Sequence, residues 1–218
     1  MRVTAALAWY AETPATLTRC ALSLRGYCDT LLAIGGRWEG FPAVSGDNEA
    51  AQAVALAKAC DVAGIEYDIR FGDWESQVEK RACLMSEACK DSDWVLVIDA
   101  DEFIERGHPA EFHRLLSETE HDVARVFAFR IPIPYGRNIH RVYRSSTNVT
   151  VKTAHNGYVT QDGRFLNGDP CYIQLPPVCE IGENLVIAHD LTARGQIRKQ
   201  AREAYNRHRR KTRLESWV

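Results

Sequence analysis

An unbroken apolar run, Trp94-Val95-Leu96-Val97-Ile98, ends in Asp99-Ala100-Asp101-Glu102, and that junction constrains the fold more than any other stretch of the chain. Five consecutive apolar residues read as a strand buried on both faces, the pattern of a sheet covered by helices on each side. Three carboxylates within four residues cannot remain ionised inside such a core, so the strand ends where they reach solvent or cations. In open α/β sheets the carboxyl ends of the strands are where ligands bind. Asp99 and Asp101, two residues apart on a turning backbone, are placed to share one hard divalent cation, which keeps waters and takes substrate phosphate in its remaining positions. The pattern points to metal-assisted chemistry on a phosphorylated substrate. A strand followed by Asp-x-Asp-Glu is also an ordinary turn or helix cap, because Asp favours those positions. The surrounding elements decide between the two readings.

Upstream, strands and helices alternate. Residues 3–9 read as a buried strand, and Thr13 and Pro14 as the N-cap and first position of a helix that runs to about Leu24 and stops at Gly26. Residues 29–34 form a second strand closed by Gly35-Gly36, and residues 48–63 an alanine-rich helix ended by Gly64. Residues 66–71 are a third strand, and residues 77–90 a helix leading into the acidic strand. This β-α-β-α-β-α-β order with short connections predicts a mostly parallel sheet with the acidic motif at the end of its fourth strand. The second half reads differently: a short helix at 109–117, a strand at 123–133 closed by Pro132 and Pro134, short antiparallel segments at 141–144 and 148–153, a turn-rich stretch at 156–177, a strand at 184–188, and a basic helix at 194–217. Glu102 is expected to cap the helix that follows it.

At 218 residues the chain suits one large domain, with residues 1–104, 105–190 and 191–218 as its successive parts. No run is long enough to span a bilayer, and residues 3–10 are too short and strand-like for a signal peptide, so a cytoplasmic protein with no membrane partner is expected. Seven scattered cysteines without a Cys-x-x-Cys pair argue against a zinc site or a disulfide framework, and several fall at apolar helix positions. The net charge of −2 hides an asymmetry: residues 194–215 hold nine Lys or Arg against two Glu, so the tail is poised to face something anionic.

The ordered set of motifs resembles glycosyltransferase family 2 and its relatives of the GT-A fold, over most of the chain. Trp9-Tyr10-Ala11-Glu12-Thr13-Pro14 is similar to the family's opening strand and loop, Glu79-Lys80-Arg81 to the Lys-Arg step before the acidic strand, and residues 94–102 to its Asp-x-Asp segment. Val186-Ile187-Ala188-His189, followed by Arg194, Arg198 and Tyr205, resembles the late strand–His element and trailing basic helix. The resemblance implies an α/β, Rossmann-like GT-A fold, with a mostly parallel central sheet flanked by helices, a smaller antiparallel acceptor-side region and a basic C-terminal helix. It implies transfer of a sugar from a nucleotide-diphosphate donor, a UDP-sugar above others, to an acceptor hydroxyl. By resemblance Asp101 binds Mn²⁺ or Mg²⁺, Asp99 contacts ribose or the metal and its water, and His189 is a third ligand that favours manganese. Lys80 and Arg81 would cap a phosphate, while Trp9 and Glu12 would hold the nucleoside. Each has a plainer alternative: Trp9 as core, Lys80 and Arg81 as a solvated helix face, His189 as the end of a strand, and His155 as an exposed loop residue.

Two departures stand out. Gly35-Gly36 replaces the family's frequent Asp-Gly pair after the second strand, and no Glu-Asp pair follows the acidic strand. An inverting enzyme needs a carboxylate to take the acceptor proton, for which Asp169 is the candidate, with Asp162 and Glu180 behind it; retention needs no such base. Haloacid dehalogenase-like phosphatases also place Asp-x-Asp after a strand, but near the N-terminus and without a residue like Phe103 two places on. A sugar-phosphate nucleotidyltransferase would carry a Gly-rich basic loop after the first strand, which is missing. The basic tail supports a different alternative, a nucleic-acid-binding module or a transferase whose acceptor is modified DNA.

Overall fold

The computed structural model describes residues 1–44, 47–131, 136–153, 157–160, 163, 178–190, 192 and 199–207. Its first half follows the expected alternation: β1 (Val3–Ala8), α1 (Pro14–Ser23), β2 (Thr30–Gly35), α2 (Glu49–Ala63), β3 (Glu66–Phe71), α3 (Gln77–Ala88) and β4 (Trp94–Asp99). Local chemistry sets these bounds. Thr13, Asn48 and Ser76 each accept a backbone N–H from the first turn of the helix they precede, and Gly64 closes α2 in a left-handed conformation. The second half is β5 (Glu102–Gly107), α4 (Pro109–Glu118), β6 (Val123–Ile131), β7 (Gly136–Arg144), β8 (Thr150–Thr153), β9 (Gly157–Val159) and β10 (Cys179–Asp190), with helical residues at 199–207.

Eight strands form one mixed sheet in the order β3-β2-β1-β4-β7-β6-β10-β5, and β8 and β9 form a small antiparallel pair. The β3-β2-β1-β4 half is parallel throughout, as buried strands joined by helical crossovers require. The β4–β7, β7–β6 and β10–β5 pairings are antiparallel, and β6–β10 is parallel. The architecture is the Rossmann-like α/β fold that the resemblance implies.

The apolar run of β4 divides by strand period between two cores. Trp94, Leu96 and Ile98 join Leu17, Cys20, Leu56 and Phe112 on the face covered by α1, α2 and α4. Val95 and Val97 join Leu84, Met85, Tyr143 and Tyr158 on the face covered by α3 and the β8–β9 pair. Among the described residues no helix is long and apolar enough to cross a membrane.

Three features differ from expectation. Glu102 caps no helix: it opens β5, and the next helix begins only at Pro109. A two-faced strand of Glu102-Phe103-Ile104-Glu105-Arg106-Gly107 has charged residues at its end, so periodicity alone hid it. β7 and β10 are both longer than the segments 141–144 and 184–188, because polar residues such as Arg137, Asn138 and Glu180 continue strands whose backbones are already paired.

Candidate functional site

Strand parity carries Asp99 onto the α3 face, because it continues the Val95, Val97 series. The sheet-facing stripe of α3 is apolar at Leu84, Met85 and Ala88 but becomes cationic one turn earlier, at Lys80 and Arg81, both buried. The N-terminus of α3 lies over the C-terminal ends of the parallel strands, so the two cations meet the acidic motif there. Arg81 pairs with Asp99 Oδ1 and hydrogen-bonds Tyr158. From the next strand, Arg141 pairs with Glu102 Oε1 and lies 3.5 Å from Asp99 Oδ2, while Glu102 Oε2 accepts the Asp99 N–H at 2.9 Å. The ring centroids of Tyr143 and Tyr158 are 4.8 Å apart in the same apolar face.

Two carboxylates and two guanidiniums thus balance one another in a nearly closed space. Burial pushes the Asp99 carboxyl up, but the Arg81 and Arg141 guanidiniums overcome it and hold the group well below the usual carboxylate range. For Glu102 burial wins: its carboxyl is pushed up despite Arg141, with the charge of Asp99 adding to the rise. Cys20, whose Sγ is 3.8 Å from the Asp99 carbonyl, is kept a thiol by burial and by the carboxylates around it. The Nε atoms of Arg81 and Arg141 are buried and have no hydrogen-bond partner among the described residues.

A depressed carboxyl contributes stability that is complete above its unfolded pKa, about 4, and is lost as pH falls toward the folded value. Asp99→Asn is therefore expected to lower unfolding free energy by roughly 1.5–3 kcal/mol at pH 7, the range for hydrogen bonds to charged groups. The gap from wild type should begin to narrow only below about pH 4 and keep narrowing as pH falls toward the folded value. Urea unfolding of both proteins from about pH 7 down to about pH 2 checks this, and a gap that does not narrow over the acid end refutes it.

Asp101 and His189 form the second part of the site. The antiparallel β10–β5 ladder sets His189 opposite Glu102, beside the turn that carries Asp101. His189 Nε2 lies 2.9 Å from Asp101 Oδ2, across 88 residues of sequence, and the Asp190 N–H donates to the Asp101 carbonyl at 2.9 Å. Asp190 accepts from Arg19 of α1 at 3.0 Å, and that guanidinium stacks 3.4 Å from the Phe103 ring centroid, so α1 anchors the end of β10. Asp99 is engaged by Arg81 and Arg141, and the charge of His189 also acts on it. No group of three or more His, Cys, Asp or Glu able to hold a metal occurs among the described residues.

The remaining expected residues are placed differently. The Trp9 ring is 2 % exposed, packs edge-on against Phe71 and donates its indole N–H to Gln52 at 3.0 Å; a ring enclosed in this way has no face open to a base. Glu12 is buried in the loop after β1. Lys80 does not reach outward: its Nζ donates to the Trp9 and Gly36 carbonyls at 2.5 and 2.7 Å, tying the ends of β1 and β2 together. Lys80→Met would leave two buried carbonyls without their donor. The expected loss is roughly 2–4 kcal/mol, read from the guanidinium unfolding midpoint. The missing Asp after β2 also has a steric reason. A Cβ at Gly35 would lie 2.7 Å from the Trp9 ring and 2.8 Å from Phe71, and Gly36, at φ +103°, passes so close to the Gly72 carbonyl that a Cβ would clash. Asp169, Asp162 and His155 lie outside the described residues. Glu180 pairs with Arg125 at the opposite end of β10 from His189, roughly 25–30 Å away at about 3.3 Å per residue.

A cavity of about 470 Å³ opens at the C-terminal ends of β1, β2 and β3, lined by Tyr10, Arg37, Val44, Asp47, Glu49 and Asp73 among others. Its acidic lining suits hydroxyl and N–H donors, such as those of a ribose or base, better than bare phosphate. Burial, with Asp47 adding to it, pushes the Glu49 carboxyl up.

Sequence reasoning missed Arg141, the cation that completes the charge balance. Its signal was an arginine at the same strand parity as Tyr143, just before the buried pair Val142-Tyr143.

No protein-family model matches the sequence, and no curated protein matches it. Among solved structures the chain is similar to S. aureus TarS in complex with UDP-GlcNAc, at 11% identity and a TM-score of 0.47, covering 67% of this chain and 46% of that one. A second structure of S. aureus TarS shares 13% identity at a TM-score of 0.45, covering 67% and 48%. The inositol-1-phosphate CTP transferase from T. maritima shares 10% identity at a TM-score of 0.42, covering 93% and 97%. The chain spans about half or less of the length of the TarS chains it is similar to.

Proposed function

We propose that this chain is a metal-dependent glycosyltransferase that moves a sugar from a nucleotide-diphosphate donor to an acceptor hydroxyl. The observation that carries the reading is the meeting of Asp101 and His189, 88 residues apart, beside the Asp99–Arg81 pair at the carboxyl edge of a β3-β2-β1-β4 sheet. One carboxylate and one imidazole suit Mn²⁺ or Mg²⁺, with manganese favoured by the imidazole, and leave the other positions to water and donor phosphates. Bound there, the ion would supply positive charge against the diphosphate as it departs.

The chain's own residues would do the rest. Tyr10, Asp47 and Glu49 would hold the nucleoside in the neighbouring cavity, with a UDP-sugar the first donor to test. Arg81 and Lys80 would bring positive potential to the phosphate side, and Asp99, locked by its arginines, would present a fixed acceptor to ribose. In transfer the C1–O bond to the diphosphate breaks, its electron pair leaves with the phosphate oxygen, and C1 bonds to the acceptor oxygen. The acceptor proton passes to a carboxylate, for which Asp169 is proposed. A cytoplasmic location belongs to the same reading, supported by the free thiols Cys20, Cys28, Cys60, Cys83, Cys89 and Cys179.

The test is release of nucleoside diphosphate from UDP-, GDP- and dTDP-sugars with Mn²⁺, with and without EDTA, alongside manganese-dependent nucleotide binding. Metal-dependent release or binding for one donor supports the reading. Neither release nor binding for any donor overturns it.

A further inference from the structure

We infer that the helical segment 199–207, within the basic C-terminal sequence, is a docking arm for duplex DNA, fixed beside the candidate donor cavity. Of the nine basic residues in 194–215, seven are arginine, the side chain best matched to phosphate. Residues 199–207 are helical and are attached to the body by a specific anchor. Tyr205 packs 5.2 Å from Phe41 and 6.3 Å from Trp38, ring centroid to ring centroid. Phe41 and Trp38 in turn surround Tyr10, at 5.5 and 6.2 Å, and Tyr10 lines the cavity. The arm therefore stands on the loop that walls the candidate donor site.

Helical spacing then sorts its residues. Ala201 and Tyr205, four apart, share the partly buried side. Lys199, Arg202 and Arg207 are exposed: Lys199 and Arg207 lie on the outer half with the exposed Glu203, which is 3.9 Å from Arg207, and Arg202 lies on the flank, three residues before Tyr205. The exposed charges of 199–207, three cations against Glu203, are net basic on a chain whose remainder is net acidic, so the segment recognises a polyanion locally rather than through net charge.

Three properties favour duplex DNA among polyanions. An anionic membrane needs an apolar face to insert, and the large apolar side chain within 199–207, Tyr205, is already engaged by the protein. A single strand needs exposed aromatic platforms, and the outer half of 199–207 offers none. A basic helix fits the major groove of B-DNA but not the deep, narrow groove of A-form RNA. DNA held here would bring an acceptor group next to the donor; that use rests on the transferase reading, whereas DNA binding does not.

Fluorescence anisotropy of the full chain with a labelled DNA duplex, titrated at several salt concentrations, tests the arm. Wild type should bind with strong salt dependence. Lys199→Gln/Arg202→Gln/Arg207→Gln should lose roughly 10- to 100-fold in affinity and flatten the log–log salt slope by about 2.7, or ~0.9 for each phosphate that the variant leaves unneutralised. Absence of wild-type binding near 50 mM salt, an unchanged slope in the triple variant, or equal affinity for duplex RNA or phosphatidylserine vesicles overturns the proposal. Donor turnover by the same proteins separates the two readings. DNA binding without turnover or nucleotide binding removes the transferase and leaves the arm, and turnover without DNA binding removes the arm alone.

Discussion

Asp101→Asn should abolish most donor turnover, lowering manganese-dependent release of nucleoside diphosphate by about 100- to 1000-fold, the cost of removing one oriented charge-stabilising group. The substitution keeps the size and most of the hydrogen-bonding shape of a side chain that is 3 % exposed, so the fold should survive. What it removes is the negative charge 2.9 Å from His189 Nε2. Under the proposed function that charge and the imidazole hold the ion. His189→Gln should therefore show a loss of similar size, and titration calorimetry should show both variants losing manganese-dependent UDP binding while circular dichroism stays unchanged. Equal turnover by Asp101→Asn and wild type would mean that the Asp101–His189 pair serves only to close β10 against β5.

Arg141→Met should be the most destabilising single substitution at the site. It strips the partner from Glu102, whose side chain is 2 % exposed, and removes one of two cations beside Asp99. Leaving a buried carboxylate uncompensated costs about 3–5 kcal/mol, whereas replacing the whole pair by neutral groups is often tolerated. At about 2–4 °C per kcal/mol for a chain of this size, Tm should fall by roughly 10 °C. Adding Glu102→Gln should recover most of the loss. The deficit should also depend on pH in a fixed direction. Burial already pushes the Glu102 carboxyl up, and Arg141 opposes that rise. Without Arg141 the group protonates at higher pH, so the variant's deficit shrinks as the solution is acidified from neutrality. A Tm within about 2 °C of wild type at pH 7 would show that the quartet is energetically idle.

The first half of the fold was legible because its signals are local. Thr13, Asn48, Pro14 and Gly64 mark helix ends by backbone chemistry that acts within four residues, and the apolar run of β4 needs no partner to be read. β5 and the full length of β10 were not legible. Their residues alternate poorly, and what makes them strands is pairing with each other across the chain. The site divides in the same way. Asp99 and Asp101 stand out in one segment, but whether Asp99 faces a metal or an arginine depends on Arg81 and Arg141, brought in from α3 and β7. Lys80 shows the limit of motif reading: a lysine expected to cap a phosphate also joins two strand ends, a bond with the Trp9 and Gly36 carbonyls that no local motif announces. Trp9 shows it again, since an aromatic residue at the nucleoside position is held shut by Phe71 and Gln52.

The place of β10 in the sheet bears on how the protein comes into being during translation. It lies between β6 and β5, so β5, synthesised some 80 residues earlier, has no strand partner among the described residues until β10 emerges. Until then the nascent chain carries an open strand edge of the kind that invites pairing with neighbouring chains. Asp101 likewise waits for His189 from the end of β10. A ribosome-stalled or proteolysed product lacking residues 178–190 would therefore keep the parallel half and its cavity, yet lack both the Asp101–His189 pair and the cover on β5. Such a fragment would be prone to aggregate and, under the proposed function, inactive, so completion of β10 would serve folding and activity in a single step.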